Sequence, residues 1–143
     1  MTVTARALER SGAVVAVGLW AISLALPAVA FVGGPVLRGS EMLLRGWEVL
    51  DAGVYAWLAN PLFLVAAVLC WTDARRIAVS VGSLALVLAV TSFGAAAALE
   101  GAGTTVPDFT FASGFYVWLA GYLVLPPSCA ARLFLVDPLR APP

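Results

Sequence analysis

The chain has 143 residues, 62% of them hydrophobic and 11% charged, and a mean hydropathy of +1.00, which leaves too little polar side-chain surface to cover a soluble domain of this size. Eight arginines balance eight carboxylates, and there is no lysine or histidine. This excludes a basic face for nucleic acid, imidazole ligation of haem or zinc, and Ser-His or Cys-His catalysis.

Four apolar stretches, 13–32, 54–71, 77–99 and 111–135, are each near the ~20 residues that a helix needs to cross a ~30 Å hydrocarbon layer. The predicted fold is an all-α integral membrane protein. It comprises one domain over 1–143, with four transmembrane helices in a bundle and a short amphipathic interfacial helix between the first and second.

The first stretch follows Arg6 and Arg10 and ends in Ala28-Val29-Ala30, a pattern that also resembles a cleavable secretory signal. Cleavage after Ala30 would leave three spans. The apolar run is longer than a typical signal h-region, so a retained first helix is predicted, bent or ended near Pro27.

Between the first two stretches, segment 40–50 has a helical period. Met42, Leu43, Gly46, Trp47 and Leu50 recur at three- and four-residue spacing, and Glu41, Arg45 and Glu48 recur on another face. Ser40 is the expected cap, Glu41 and Arg45 the expected ion pair, and Trp47 the expected anchor at headgroup depth. This helix either lids the bundle or docks a partner.

In the second stretch, Asn60 and Pro61 stand out. Counted from Asp51, about nine residues at ~1.5 Å each put Asn60 near mid-membrane, where an amide is poorly suited to face lipid. Proline at 61 cannot donate to the Trp57 carbonyl, so a kink is expected, with a free acceptor beside Asn60. Asn60 is then either a polar spot that binds a ligand or packing glue bonded to Ser23, Ser83 or Thr91. Cys70 and Cys129, alone near the ends of the second and fourth stretches, lack the spacing of redox or zinc motifs and read as reduced and inert.

In the third stretch Gly82, Ser83, Ala85, Ala89, Gly94 and Ala98 offer close-approach positions, including the small-xxx-small pair Gly94 and Ala98. The fourth repeats part of the second. Segments 53–62 and 114–123 share six of ten residues, including Tyr55/Tyr116 and Trp57/Trp118, a sign of either duplication or a shared packing solution at an aromatic belt. Pro126-Pro127 are expected to bend or end the last helix, leaving 130–135 along the inner interface with Arg132 near phosphates.

Positively charged short loops stay on the cytoplasmic side. Arg6, Arg10, Arg75, Arg76, Arg132 and Arg140 fall on one side, and only Arg38 and Arg45 on the other, where Glu41, Glu48, Asp51, Glu100 and Asp108 also lie. Both termini are therefore predicted to be cytoplasmic. The arginine-only basic set and the richness in Ala, Val, Leu and Gly resemble a high-GC bacterial coding sequence, which makes the bacterial plasma (inner) membrane the expected location of this multi-pass chain.

No ionisable group lies deep within a span, no catalytic constellation exists, and no metal or cofactor site is expected, so the chain does not read as an enzyme. Its expected partners are the lipid bilayer and another membrane protein or a second copy. Two function classes remain. The first, which the sequence favours, is an accessory or interaction subunit that packs with another membrane component. The alternative is a binder or conductor of a lipid or other apolar small molecule in a pocket around Asn60, lined by Tyr55, Trp57, Trp118 and Tyr122 beside Pro61. The two are told apart by whether Asn60 and the paired tryptophans face an internal cavity.

Overall fold

The computed structural model describes residues 3–103 and 105–136, and most of them are helical. Helix α1 (Val3–Ala25) leads into strands β1 (Pro27–Phe31) and β2 (Val36–Arg38) and the short helix α2 (Gly39–Arg45). Helices α3 (Ala59–Leu69), α4 (Arg75–Val90) and α5 (Ala95–Gly101) follow, then strand β3 (Phe109–Phe111) and the long helix α6 (Ser113–Val136). Tight 3-10 turns at Gly46–Val49, Tyr55–Leu58 and Thr91–Gly94 extend α2, open α3 and join α4 to α5. Arg75–Gly101 and Ser113–Ala131 are long and apolar enough to cross a membrane, and Tyr55–Leu69 is apolar but shorter.

The first predicted span is corrected. Helix α1 stops at Ala25, and 27–31 form the middle strand of a three-stranded antiparallel sheet of order β2-β1-β3. Pro27 has no N–H to continue the helix ladder, and the following small and β-branched residues pair instead. Val29 lies opposite Leu37 on one side and Phe111 on the other, with a bulge between Pro27 and Val29. Phe111 therefore belongs to the sheet, and the fourth helix starts at Ser113.

Pro126 and Pro127 do not end α6, which continues to Val136, so 130–135 are helix and not a separate interfacial segment. Packing holds the turn: a side chain added at Gly82 of α4 would meet both Ala66 and Pro126 at 3.6 Å. Arg140 lies outside the described residues.

The interior is built from small residues and a few rings. Ala59, Phe63, Ala66, Ala67 and Cys70 line the inward face of α3, and Ala78, Gly82, Ala85 and Ala89 that of α4, at helical spacing. Large aliphatic side chains point outward: Val65, Val68, Ile77, Leu84, Val87 and Leu123 are all exposed. The first and last helices form the closest pair, because Gly12 and Gly121 have no side chain to hold them apart; a Cβ at Gly121 would lie 3.0 Å from the Ala16 carbonyl oxygen. Gly94, by contrast, faces open space, with no atom of the described residues within 4 Å of where its side chain would begin, so the Gly94–Ala98 pair is no packing motif here.

The start of α1, the end of α3, the start of α4 and the latter part of α6 meet at one end of the bundle. There Glu9 Oε1 lies 3.5 Å from Arg75 Nε, the Arg10 guanidinium sits 5.4 Å from the Trp71 ring centre, and Cys70 is disulfide-bonded to Cys129. The sheet, α2, Arg38 and Arg45 occupy the opposite end.

Candidate functional site

Asn60 sits in the first turn of α3, and Pro61 follows it there, where a missing N–H is tolerated. The expected mid-helix kink is therefore absent. The chain from Asp51 to Val54 is a turn, with Gly53 at φ +82°, and not the start of a helix. The Trp57 carbonyl takes a hydrogen bond from Asn60 Nδ2 at 3.2 Å.

The oxygen of the same amide is the meeting point of three donors. Trp20 Nε1 and Trp118 Nε1 each donate to Asn60 Oδ1 at 3.0 Å, and Tyr122 Oη donates at 3.1 Å. An indole N–H can only donate, so the amide orientation is fixed by chemistry: oxygen toward the rings, nitrogen toward the Trp57 carbonyl. This knot ties α1, α3 and α6 together. Neither Ser23, Ser83 nor Thr91 is a partner; Ser23 Oγ donates to the Trp20 carbonyl and Thr91 Oγ1 to that of Leu88. Rings stack around the amide, with Phe63 and Trp118 centred 4.6 Å from Tyr122 and Trp20 6.3 Å from Phe63.

Beside the knot, toward the sheet end, lies a cavity of about 420 Å³. Trp57, Asn60 and Trp118 are on its wall; Phe109, Phe111 and Phe115 continue the wall toward the sheet, and Ser23 and Ser92 add hydroxyls. Phe111 and Phe115 stack at 3.9 Å. Of the other residues predicted here, Tyr122 is fully buried behind the wall, whereas Tyr55 and Pro61 face outward.

Helix α2 covers the cavity, with Glu41, Arg45 and Glu48 on the lining and Trp47 turned away and 57% exposed. Trp57 Nε1 donates to the Leu43 carbonyl at 2.7 Å, and Gly46 lies so close to the Trp57 ring that any side chain there would collide with it. The expected Glu41–Arg45 pair is replaced. Glu41 Oε2 accepts from the Arg38 backbone N–H at 2.6 Å, capping the helix in the role foreseen for Ser40, because a carboxylate at the third helical position reaches the exposed amide. Arg45 pairs instead with Glu48 at 3.2 Å, and the hydrogen bonds it donates to that carboxylate, then the carboxylate's charge, raise the arginine pKa above its ordinary value. Arg45 and Glu48 thus neutralise each other, and Glu41 is held by the backbone N–H that precedes α2.

The two similar segments take different backbone shapes: 55–58 is a 3-10 turn and 114–123 is α-helix. What they share is placement, since Tyr55 and Tyr116 are exposed while Trp57 and Trp118 both line the cavity. The site also contains residues that the sequence pattern did not assign to it, namely Trp20, Phe109, Phe111 and Phe115. The alternation in Phe109-Thr110-Phe111 is the one local signal of a strand there. Among the described residues no three Cys, Asp or Glu side chains converge as a metal site would require. No family model, no curated protein and no solved structure matches this chain.

Proposed function

We propose that the chain is a small multi-pass protein of a bacterial inner membrane that holds a lipid or comparable apolar molecule in the cavity beside Asn60, a binding role and not a catalytic one. Four helical segments, 3–25, 55–69, 75–101 and 113–136, cross the bilayer in this reading, with both termini cytoplasmic and α2 with the sheet on the outer side. The outward-facing aliphatic residues and inward-facing alanines support it, because a lipid environment would cover the apolar surface that this arrangement exposes.

One observation carries the binding role. The cavity falls within the ~300–1,000 Å³ of ordinary ligand sites, is walled by aromatic and aliphatic groups, and has a single convergent amide network at its edge. Arg45, the one cation on the lining, is already paired with Glu48, so nothing there recruits an anionic ligand. The accessory-subunit reading draws on a different feature, the exposed Leu44 and Trp47 on α2 and its 3-10 extension, outside the cavity, which a partner protein would cover.

Native mass spectrometry of gently extracted protein tests both. The wild type is expected to carry one apolar molecule at fixed stoichiometry. Ala95→Trp, which fills the cavity from α5 without touching the Asn60 network, is expected to lose it while melting at or above the wild-type temperature. Equal retention in Ala95→Trp would rule out the cavity as the site, and a second polypeptide at fixed ratio would favour the accessory reading.

A further inference from the structure

We propose that Cys70 and Cys129 form an exchangeable dithiol–disulfide couple, and that Cys70 is the sulfur an incoming thiol attacks. The two cysteines, 59 positions apart in sequence, join the end of α3 to α6 with a Cα separation of 5.5 Å, within the normal range for a bridge. The bridge corrects the expectation that the two cysteines are reduced.

The two cysteines differ in surroundings. Both are buried, Cys129 completely and Cys70 at 4% exposure, but only Cys70 lies on the wall of a second cavity of about 250 Å³, polar and separate from the one beside Asn60. Its other walls are Glu9, Arg10, Trp71, Thr72, Asp73 and Arg75. Arg75 stands between two carboxylates, 3.5 Å from Glu9 and 3.0 Å from Asp73, while Arg10 packs on the Trp71 ring. A disulfide in an apolar helix bundle is ordinarily out of reach of thiolates. Here a polar vestibule leads to one of its two cysteines.

Compartment points the same way. The pair sits at the end of the molecule that carries Arg10, Arg75 and Arg76, the end which the arginine distribution assigns to the cytoplasm. Outside hyperthermophiles, disulfides on that side of a membrane are usually transient and redox-active and not permanent staples. This step rests on the proposed orientation; the difference in surroundings does not.

The exchange balances with a small thiol as co-reactant. Its thiolate attacks Cys70 Sγ, the Sγ–Sγ bond breaks, and the electron pair leaves on Cys129, which takes up a proton. A second thiolate then attacks the external sulfur of the mixed disulfide, releasing Cys70 as a thiol and the small molecule as its disulfide. Two external thiols are oxidised by two electrons, and the protein bridge is reduced to two thiols.

The test equilibrates the full chain in nanodiscs with graded mixtures of reduced and oxidised glutathione, then alkylates free thiols and reads the intact mass. The wild type is expected to pass from no alkylated cysteine to two as the mixture becomes reducing, with far-UV circular dichroism unchanged. Cys129→Ser is expected to trap glutathione on Cys70, at a rate at least tenfold above any adduct on Cys129 in Cys70→Ser. Should Cys129→Ser not fold, Cys129→Ala keeps the position apolar and gives the same reading, and the wild-type titration stands without either variant. A bridge that persists in fully reduced glutathione until the fold is melted would overturn the proposal, as would two free thiols at every ratio or equal trapping on Cys129.

Discussion

Asn60 sets the terms at the scale of a single residue, because its oxygen has two lone pairs and receives three donors. Sharing means that each donor contributes less than a full bond, while removal of the acceptor strands all three. Tyr122→Phe, which deletes one hydroxyl and keeps the ring, is therefore expected to cost below ~1 kcal/mol, in line with typical intramembrane hydrogen bonds. Asn60→Leu is expected to cost several-fold more, since an orphaned buried donor alone costs ~1–3 kcal/mol. Equilibrium unfolding in mixed micelles checks both, and equal losses would refute the shared-acceptor account. Asn60 was legible in the sequence as the one amide in an apolar stretch. Its partners were not, because Trp20, Trp118 and Tyr122 lie 40, 58 and 62 positions away and tryptophan near a helix end reads first as an interfacial anchor.

Elements reveal where periodicity suffices and where it fails. The helices over 55–69, 75–101 and 113–136 follow from apolar length alone, whereas β1 was hidden because its residues continue the hydrophobic run of α1 without a break. Only Pro27 marked the change, and a proline there is as compatible with a bend as with a strand. The disulfide was equally invisible, since sequence spacing carries no record of which helix ends meet. Close approach by glycine is likewise set by the partner helix, not by the motif. Gly121→Ala places a methyl group against the α1 backbone and is expected to destabilise by ~1–3 kcal/mol. Gly94→Ala, in open space and at negative φ, is expected to be neutral or to stabilise by up to ~1 kcal/mol. Thermal melts of the two variants side by side check the contrast, and a reversed order would show that α1 and α6 are not packed at Gly121.

For the whole molecule the arrangement of charge is the testable property. A green fluorescent protein fused after Pro143 is expected to fluoresce, and an alkaline phosphatase domain inserted within 105–108 is expected to be active, because the first folds only inside and the second only outside. The opposite pair of results would invert the bundle and place the cysteine bridge in an oxidising compartment.

The pairing of the first helix with the last has a consequence for how the chain is made. At the ribosome α1 is translated more than a hundred residues before α6 is complete, so the groove around Ala16 and Gly12 waits without its permanent neighbour. Until α6 arrives, Asn60 has only Trp20 of its three ring partners, and Cys70 has no sulfur to bond. The bundle therefore closes in one late step, when α6 docks against both α1 and α4.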